Sequence, residues 1–182
     1  METFTKPRGF VTNPDFARQK VETLKSLDPS DLDPPIVDIV ADFNRLQYCY
    51  TLQICWGHFV YEGQTDIHNL ARLPTDPFDG EIDYRLAYIA LCLADDQDGK
   101  ALFDRLAIIP RLDPDYIQFG SADWFWERHL NSYAVQVEPA RYQHRDRAQV
   151  DFGEALHLQK VRDMFYAEIR LMLNNLLNGA TW

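Results

Sequence analysis

Residues 47–62 constrain the fold most. They read Gln-Tyr-Cys-Tyr-Thr-Leu-Gln-Ile-Cys-Trp-Gly-His-Phe-Val-Tyr-Glu and are apolar on almost every side. With the residues before them, they read as the second half of a long helix spanning 35–62. In its first half, Ile36, Ile39, Val40, Phe43 and Leu46 form one apolar stripe, with Asp38, Asp42 and Arg45 opposite. Further on, Cys49, Leu52, Trp56 and Val60 make the opposite face apolar as well. A helix that turns from one-sided to all-round apolar is entering a core. Gly57 costs about 1 kcal/mol there relative to alanine. Close approach of a neighbouring backbone, or of a ligand, would account for it.

Helical periods recur elsewhere. Asn13 and Pro14 read as the start of a first helix carrying Phe16, Val21, Leu24 and Leu27. A helix at 81–95 would bury Ile82, Leu86, Ile89, Ala90 and Leu93, and a short one would follow to 108. Ser121 would cap another, with Trp126, Leu130, Tyr133, Ala134 and Val137 inward. Tyr133, Val135 and Val137 also alternate as a strand would, and the helix is the preferred reading. Asp151-Phe-Gly-Glu154 resembles a capping box and opens a final helix at 152–178. Its buried stripe is Leu158, Val161, Phe165, Ile169, Met172 and Leu176. Residues 1–12 read as an extended arm, 63–80 as a long loop and 139–150 as a polar loop. The expected architecture is all-α, with residues 1–182 forming a single irregular helical bundle of five to seven helices.

Charge and cysteine usage narrow the partners. The net charge is −10 and no basic run is sustained. Nucleic acid, which demands a positive footprint, is therefore not expected, and neither is an anionic membrane surface. No run approaches the length of a membrane span. Cys49, Cys55 and Cys92 are odd in number. On one helix, Cys49 and Cys55 would point about 120° apart and would not pair. They read as small buried groups in a reducing compartment. The first ten residues have no apolar core like that of a signal peptide, so a cytoplasmic location is expected.

The common nucleotide, hydrolase and zinc-protease motifs are absent. The acidic run from Asp95 to Gly99 fails as a calcium loop, because Ala94 and Arg105 would occupy its first and last ligand positions. Three candidates remain. On the long helix, Gln47, Thr51, His58 and Glu62 fall within about 60° of one another at 100° per residue, flanked by Tyr50 and Tyr61. His58 and Glu62, at i and i+4, are close enough to share a proton or a metal. Glu154 and His157 have the Glu-x-x-His spacing of helical di-iron proteins, although it occurs once here and those proteins need it twice. Trp124 and Trp126 sit beside Glu127 and His129 and would wall a pocket or form an interface. Cys55 lies three residues before His58, yet nucleophilic catalysis has no support on a buried helix. His68 and His144 read as solvated loop residues.

The leading expectation is a small-molecule-binding helical protein, with enzyme activity as an extension of it. In that reading His58 is the acid–base group, Glu62 its orienting carboxylate, and Gln47, Thr51, Tyr50, Tyr61, Trp124 and Trp126 contact the ligand. No cofactor is identified. A metal ion is a weaker expectation, held by Glu154 and His157 with His58 and Glu62. The alternative is a non-catalytic adaptor or subunit that presents exposed aromatics to a protein partner or to a second copy of itself.

Overall fold

The computed structural model describes residues 4–76, 80–142 and 145–179. Expectations for residues 1–3, 77–79 and His144 lie outside the described residues. In chain order the regular elements are β1 (Phe4–Thr5), α1 (Phe16–Ser26), α2 (Val37–Arg45), β2 (Cys49–Cys55), β3 (His58–Val60), β4 (Ile82–Arg85), β5 (Ala87–Leu93), α3 (Gln97–Leu106), β6 (Ile117–Ala122), α4 (Asp123–Trp126), β7 (Ser132–Val137), β8 (Arg147–Val150) and α5 (Phe152–Leu177). Two antiparallel sheets result, one ordered β1-β6-β7-β5-β2 and one ordered β3-β4-β8. The fold is mixed α/β, and the expected all-α bundle is wrong.

The error has a physical source. The long helix is real only to Arg45, where α2 buries Ile39, Val40 and Phe43. The chain then turns, and the apolar run enters the core as β2 and β3. The expected helix at 81–95 is β4 and β5, and the one after Ser121 is helical only as α4 before its last six residues run as β7. Every residue of β7 is buried, and six of the seven in β5. When both faces of a strand are buried, apolar residues fill every position and meet the i, i+3, i+4 template by default. The alternation of Tyr133, Val135 and Val137 was the sound signal. β-branched and aromatic residues, Tyr50, Thr51 and Ile54 in β2, also favour strand.

The last helix forms as its cap predicts. The Asp151 side chain accepts from the Glu154 N–H at 2.8 Å. α5 buries Leu158, Val161, Phe165 and Ile169 against both sheets and α2. The core extends through Phe43, Phe59, Tyr84, Ile89 and Val135. Around Tyr133 a second layer of rings forms, with Phe103 at 4.8 Å and Trp126 at 5.7 Å. No helix among the described residues is long and apolar enough to cross a membrane.

Candidate functional site

The site is built where β2 passes into β3. Trp56 and Gly57 join the two strands, and Gly57 has φ +88°. A Cβ added to Gly57 would lie 2.7 Å from the Ala87 Cβ at the start of β5. Glycine is therefore required for both conformation and close approach. α5 holds this turn from behind. The Arg162 side chain, 2% exposed, donates from Nη1 to the Gly57 carbonyl at 3.0 Å. Its guanidinium lies 4.6 Å from the Trp56 ring and 5.3 Å from the Phe59 ring. Its charge is met by Asp163, which accepts from Nε and Nη2 at 3.2 and 2.9 Å. Tyr166 donates its hydroxyl to the Cys55 carbonyl, and its ring stacks on Trp56 at 4.7 Å.

Held in this way, the turn sets Cys55 and His58 beside Asp33, from the connector before α2. The Asp33 Oδ2 accepts from the Trp56 N–H at 3.0 Å and lies 3.2 Å from the His58 Nε2. The His58 Nδ1 is 3.1 Å from the His68 carbonyl oxygen. One ligand-type atom from each of Asp33, Cys55 and His58 lies within 4.8 Å of the other two. The His58 side chain is only 13% exposed.

Both imidazole nitrogens of His58 thus face oxygens that only accept. An imidazolium satisfies both; a neutral ring satisfies one. Hydrogen bonds to Asp33 and then to Cys55 push the His58 pKa up to about 10, against the effect of burial. Burial works against the Asp33 charge, but hydrogen bonds from His58 and the Trp56 N–H outweigh it and hold this carboxyl below its ordinary value. The sign of the pH dependence follows. The raised histidine contributes stability that is complete below its ordinary pKa of 6.5 and is lost as pH rises toward 10. The depressed carboxyl contributes above its ordinary 3.8 and loses that share below it. In metal-free protein, the gap in urea midpoint between wild type and His58→Gln should be widest near pH 5–6 and should close toward pH 10. A gap that stays constant over that range would refute the pairing.

A β-bulge aims Cys55. The register of β2 against β5 shifts between Thr51 and Gln53, so that Gln53 pairs with Ala90 and Cys55 with Tyr88. Without the extra residue, Cys55 would point to the opposite face of the sheet. With it, Cys55 joins Tyr88 and Gln136 in one cross-strand row, since Tyr88 pairs in turn with Gln136. On the smaller sheet, His58 pairs with Arg85 and Arg85 with Arg147, forming a second row. The two rows meet at the seam between the sheets. A cleft of about 460 Å³ opens there, lined by Gln53, Cys55, Arg85, Tyr88, Gln136 and Arg147, with Leu86 and Asp146. Arg147 also lines a neighbouring cleft with Arg141 and Arg145.

The residues singled out from the sequence are dispersed. His58 is at the site; Glu62 is exposed beyond the end of β3, and the carboxylate that meets His58 is Asp33. Gln47 is exposed in the turn before β2. Thr51 is buried, bonded through its Oγ1 to Asn44 at 3.1 Å. Tyr50 is buried with its hydroxyl 3.0 Å from the His129 Nδ1. Tyr61 packs at the core's margin. Trp124 is 50% exposed, whereas Trp126 is buried with the Arg8 guanidinium over its ring. Glu154 and His157 do not converge. Glu154 binds Arg141 and accepts from Tyr142 at 3.0 Å, while His157 meets Asp113 at 2.9 Å. Two residues escaped sequence reasoning. Asp33 lies in the proline-rich connector before α2, and Cys55 reads as packing, since a bulge leaves no mark in helical spacing.

No family model matches the chain, and no curated protein is similar to it. Among solved structures, that of the PH1069 protein from Pyrococcus horikoshii matches 89% of this chain and 92% of that one, at 16% identity and a TM-score of 0.44.

Proposed function

We propose that the protein binds a small anionic molecule in the cleft at the seam of its two sheets. One observation carries this reading: Arg85, Arg147 and Cys55 converge on one cleft, and Cys55 also belongs to the Asp33–His58 cluster. The planar fork of arginine suits a carboxylate or phosphate. The Nε of Arg85 is buried with no acceptor among the described residues, and a ligand oxygen would supply one. Two arginines facing Asp146, the one acidic residue in that lining, run against a chain whose net charge is −10. Gln53, Tyr88 and Gln136 offer neutral hydrogen bonds, and the volume suits a small ligand.

Thermal melting at constant ionic strength tests the reading, with inorganic phosphate, pyrophosphate, citrate and malate as probes. At least one, when tenfold above its Kd, should raise the Tm by about 3 °C or more. Arg147→Ala should abolish that rise. Its side chain is 60% exposed and its contact with Asp83 is a loose 3.8 Å, so the ligand-free Tm should move little. Failure of all four probes, or an equal rise in the variant, would sink the proposal.

A further inference from the structure

The geometry points to a binding site for a divalent transition ion of the zinc class, held by Asp33 Oδ2, Cys55 Sγ and His58 Nε2. These are the three ligand types that zinc takes, and they come from three separate segments: the connector before α2, the end of β2 and the start of β3. A tetrahedral ion about 2.0–2.3 Å from each ligand sets the ligands about 3.3–3.6 Å apart. The His58 Nε2 and the Asp33 Oδ2 are already 3.2 Å apart, and the thiol sulfur lies within 4.8 Å of a nitrogen of that ring and an oxygen of that carboxylate. Closing on an ion therefore takes a side-chain adjustment and no backbone rearrangement.

The surroundings hold the ligands in place. The His68 carbonyl faces the Nδ1 of His58, the outer contact that fixes the ring with Nε2 toward a metal. The Trp56 N–H steadies the Asp33 carboxylate. On binding, the ion replaces the Nε2 proton and the thiol proton, and both pass to solvent. A neutral imidazole, a thiolate and a carboxylate then sum to the opposite of a 2+ charge. Calcium and magnesium, which demand oxygen ligands, suit this set poorly. Three protein ligands leave a fourth position for water or for a group entering from the cleft that Cys55 lines. The inference goes beyond anion binding and does not depend on it.

Chelator-stripped full-length protein should take up one Zn²⁺ per chain in competition with a chromophoric chelator. Substituted Co²⁺ should give the near-ultraviolet thiolate charge-transfer band. Cys55→Ser should remove that band and weaken zinc binding on the order of 100-fold or more. His58→Gln and Asp33→Asn, made in parallel, should weaken it comparably, so that one misfolded variant does not decide the matter. His157→Gln should leave it unchanged, and so should Arg147→Ala, which separates this outcome from the anion test. Zinc bound equally by wild type and by the folded Cys55 and His58 variants, or no cobalt–thiolate band in the wild type, would overturn the proposal.

Discussion

Arg162→Ala is expected to destabilise the protein by about 3 kcal/mol or more, one of the largest losses available to a single substitution here. The side chain is almost wholly buried between Trp56 and Phe59. Alanine leaves a cavity under both rings, takes the Arg162 bond from the Gly57 carbonyl, and leaves Asp163 with Arg72, at 2.9 Å, as its remaining cation among the described residues. Asp163 is partly exposed, which places the loss toward the lower end of the range for broken buried pairs. Arg162→Met separates the contributions. It refills much of the space, so it should recover the packing share and leave the carbonyl's cost of about 1–3 kcal/mol. Arg162→Lys should also fall short, because an ammonium cannot serve the Gly57 carbonyl and Asp163 through one planar fork. Urea unfolding measures all three. A loss below about 1 kcal/mol for the alanine variant would mean that α5 does not hold the β2–β3 turn.

Gly57→Ala is the second large effect, at about 3 kcal/mol. Two causes add. An L-residue at φ +88° costs about 1–2 kcal/mol. The new methyl group would meet the Ala87 Cβ at 2.7 Å and the Ala87 Cα and N at 3.1 Å, and overpacking of this kind costs about 1–3 kcal/mol. Ala87 is fully buried at the start of a strand paired on both sides, so it cannot move away cheaply. The pair should therefore couple. Ala87→Gly in the Gly57→Ala background should recover about 1 kcal/mol, which a double-mutant cycle reads as a favourable interaction. The conformational share should persist. Strictly additive losses would show that the clash is relieved some other way.

Both substitutions act on the segment that the sequence misrepresents most. Its burial was legible. The run at 47–62 is apolar all round, and Cys49, Tyr50 and Phe59 are fully buried. Its conformation was not legible, because Cys49, Leu52, Trp56 and Val60 also meet the helical template and the bulge between Thr51 and Gln53 interrupts the strand's alternation. The need for close approach at Gly57 was also legible, and the neighbour is the Ala87 backbone and methyl group. α5 and its Asp151 cap could be read because one helix face stays polar and the cap is a local feature. For the site, His58 could be singled out as a polar group in an apolar run, but its partner could not. Asp33 lies 25 residues away in sequence, in a proline-rich connector, and only the sheet topology brings the two together. Wheel geometry paired His58 with Glu62, and that pairing dissolves once the helix does. Cys55 reaches the cleft through one inserted residue in β2, a register effect that depends on the partner strand.

An anion bound in the seam cleft lies against Cys55, and alkylation of that thiol in metal-free protein reports its presence there. Burial pushes the Cys49 and Cys92 thiols up to about 12, so Cys55, half-buried at the cleft, should react first with iodoacetamide. With whichever probe anion raises the Tm at saturation, mass spectrometry should show alkylation of Cys55 slowed in wild type and unaffected in Arg147→Ala. Alkylation of Cys55 at an unchanged rate while that anion still stabilises the protein would place the ligand elsewhere and contradict the account.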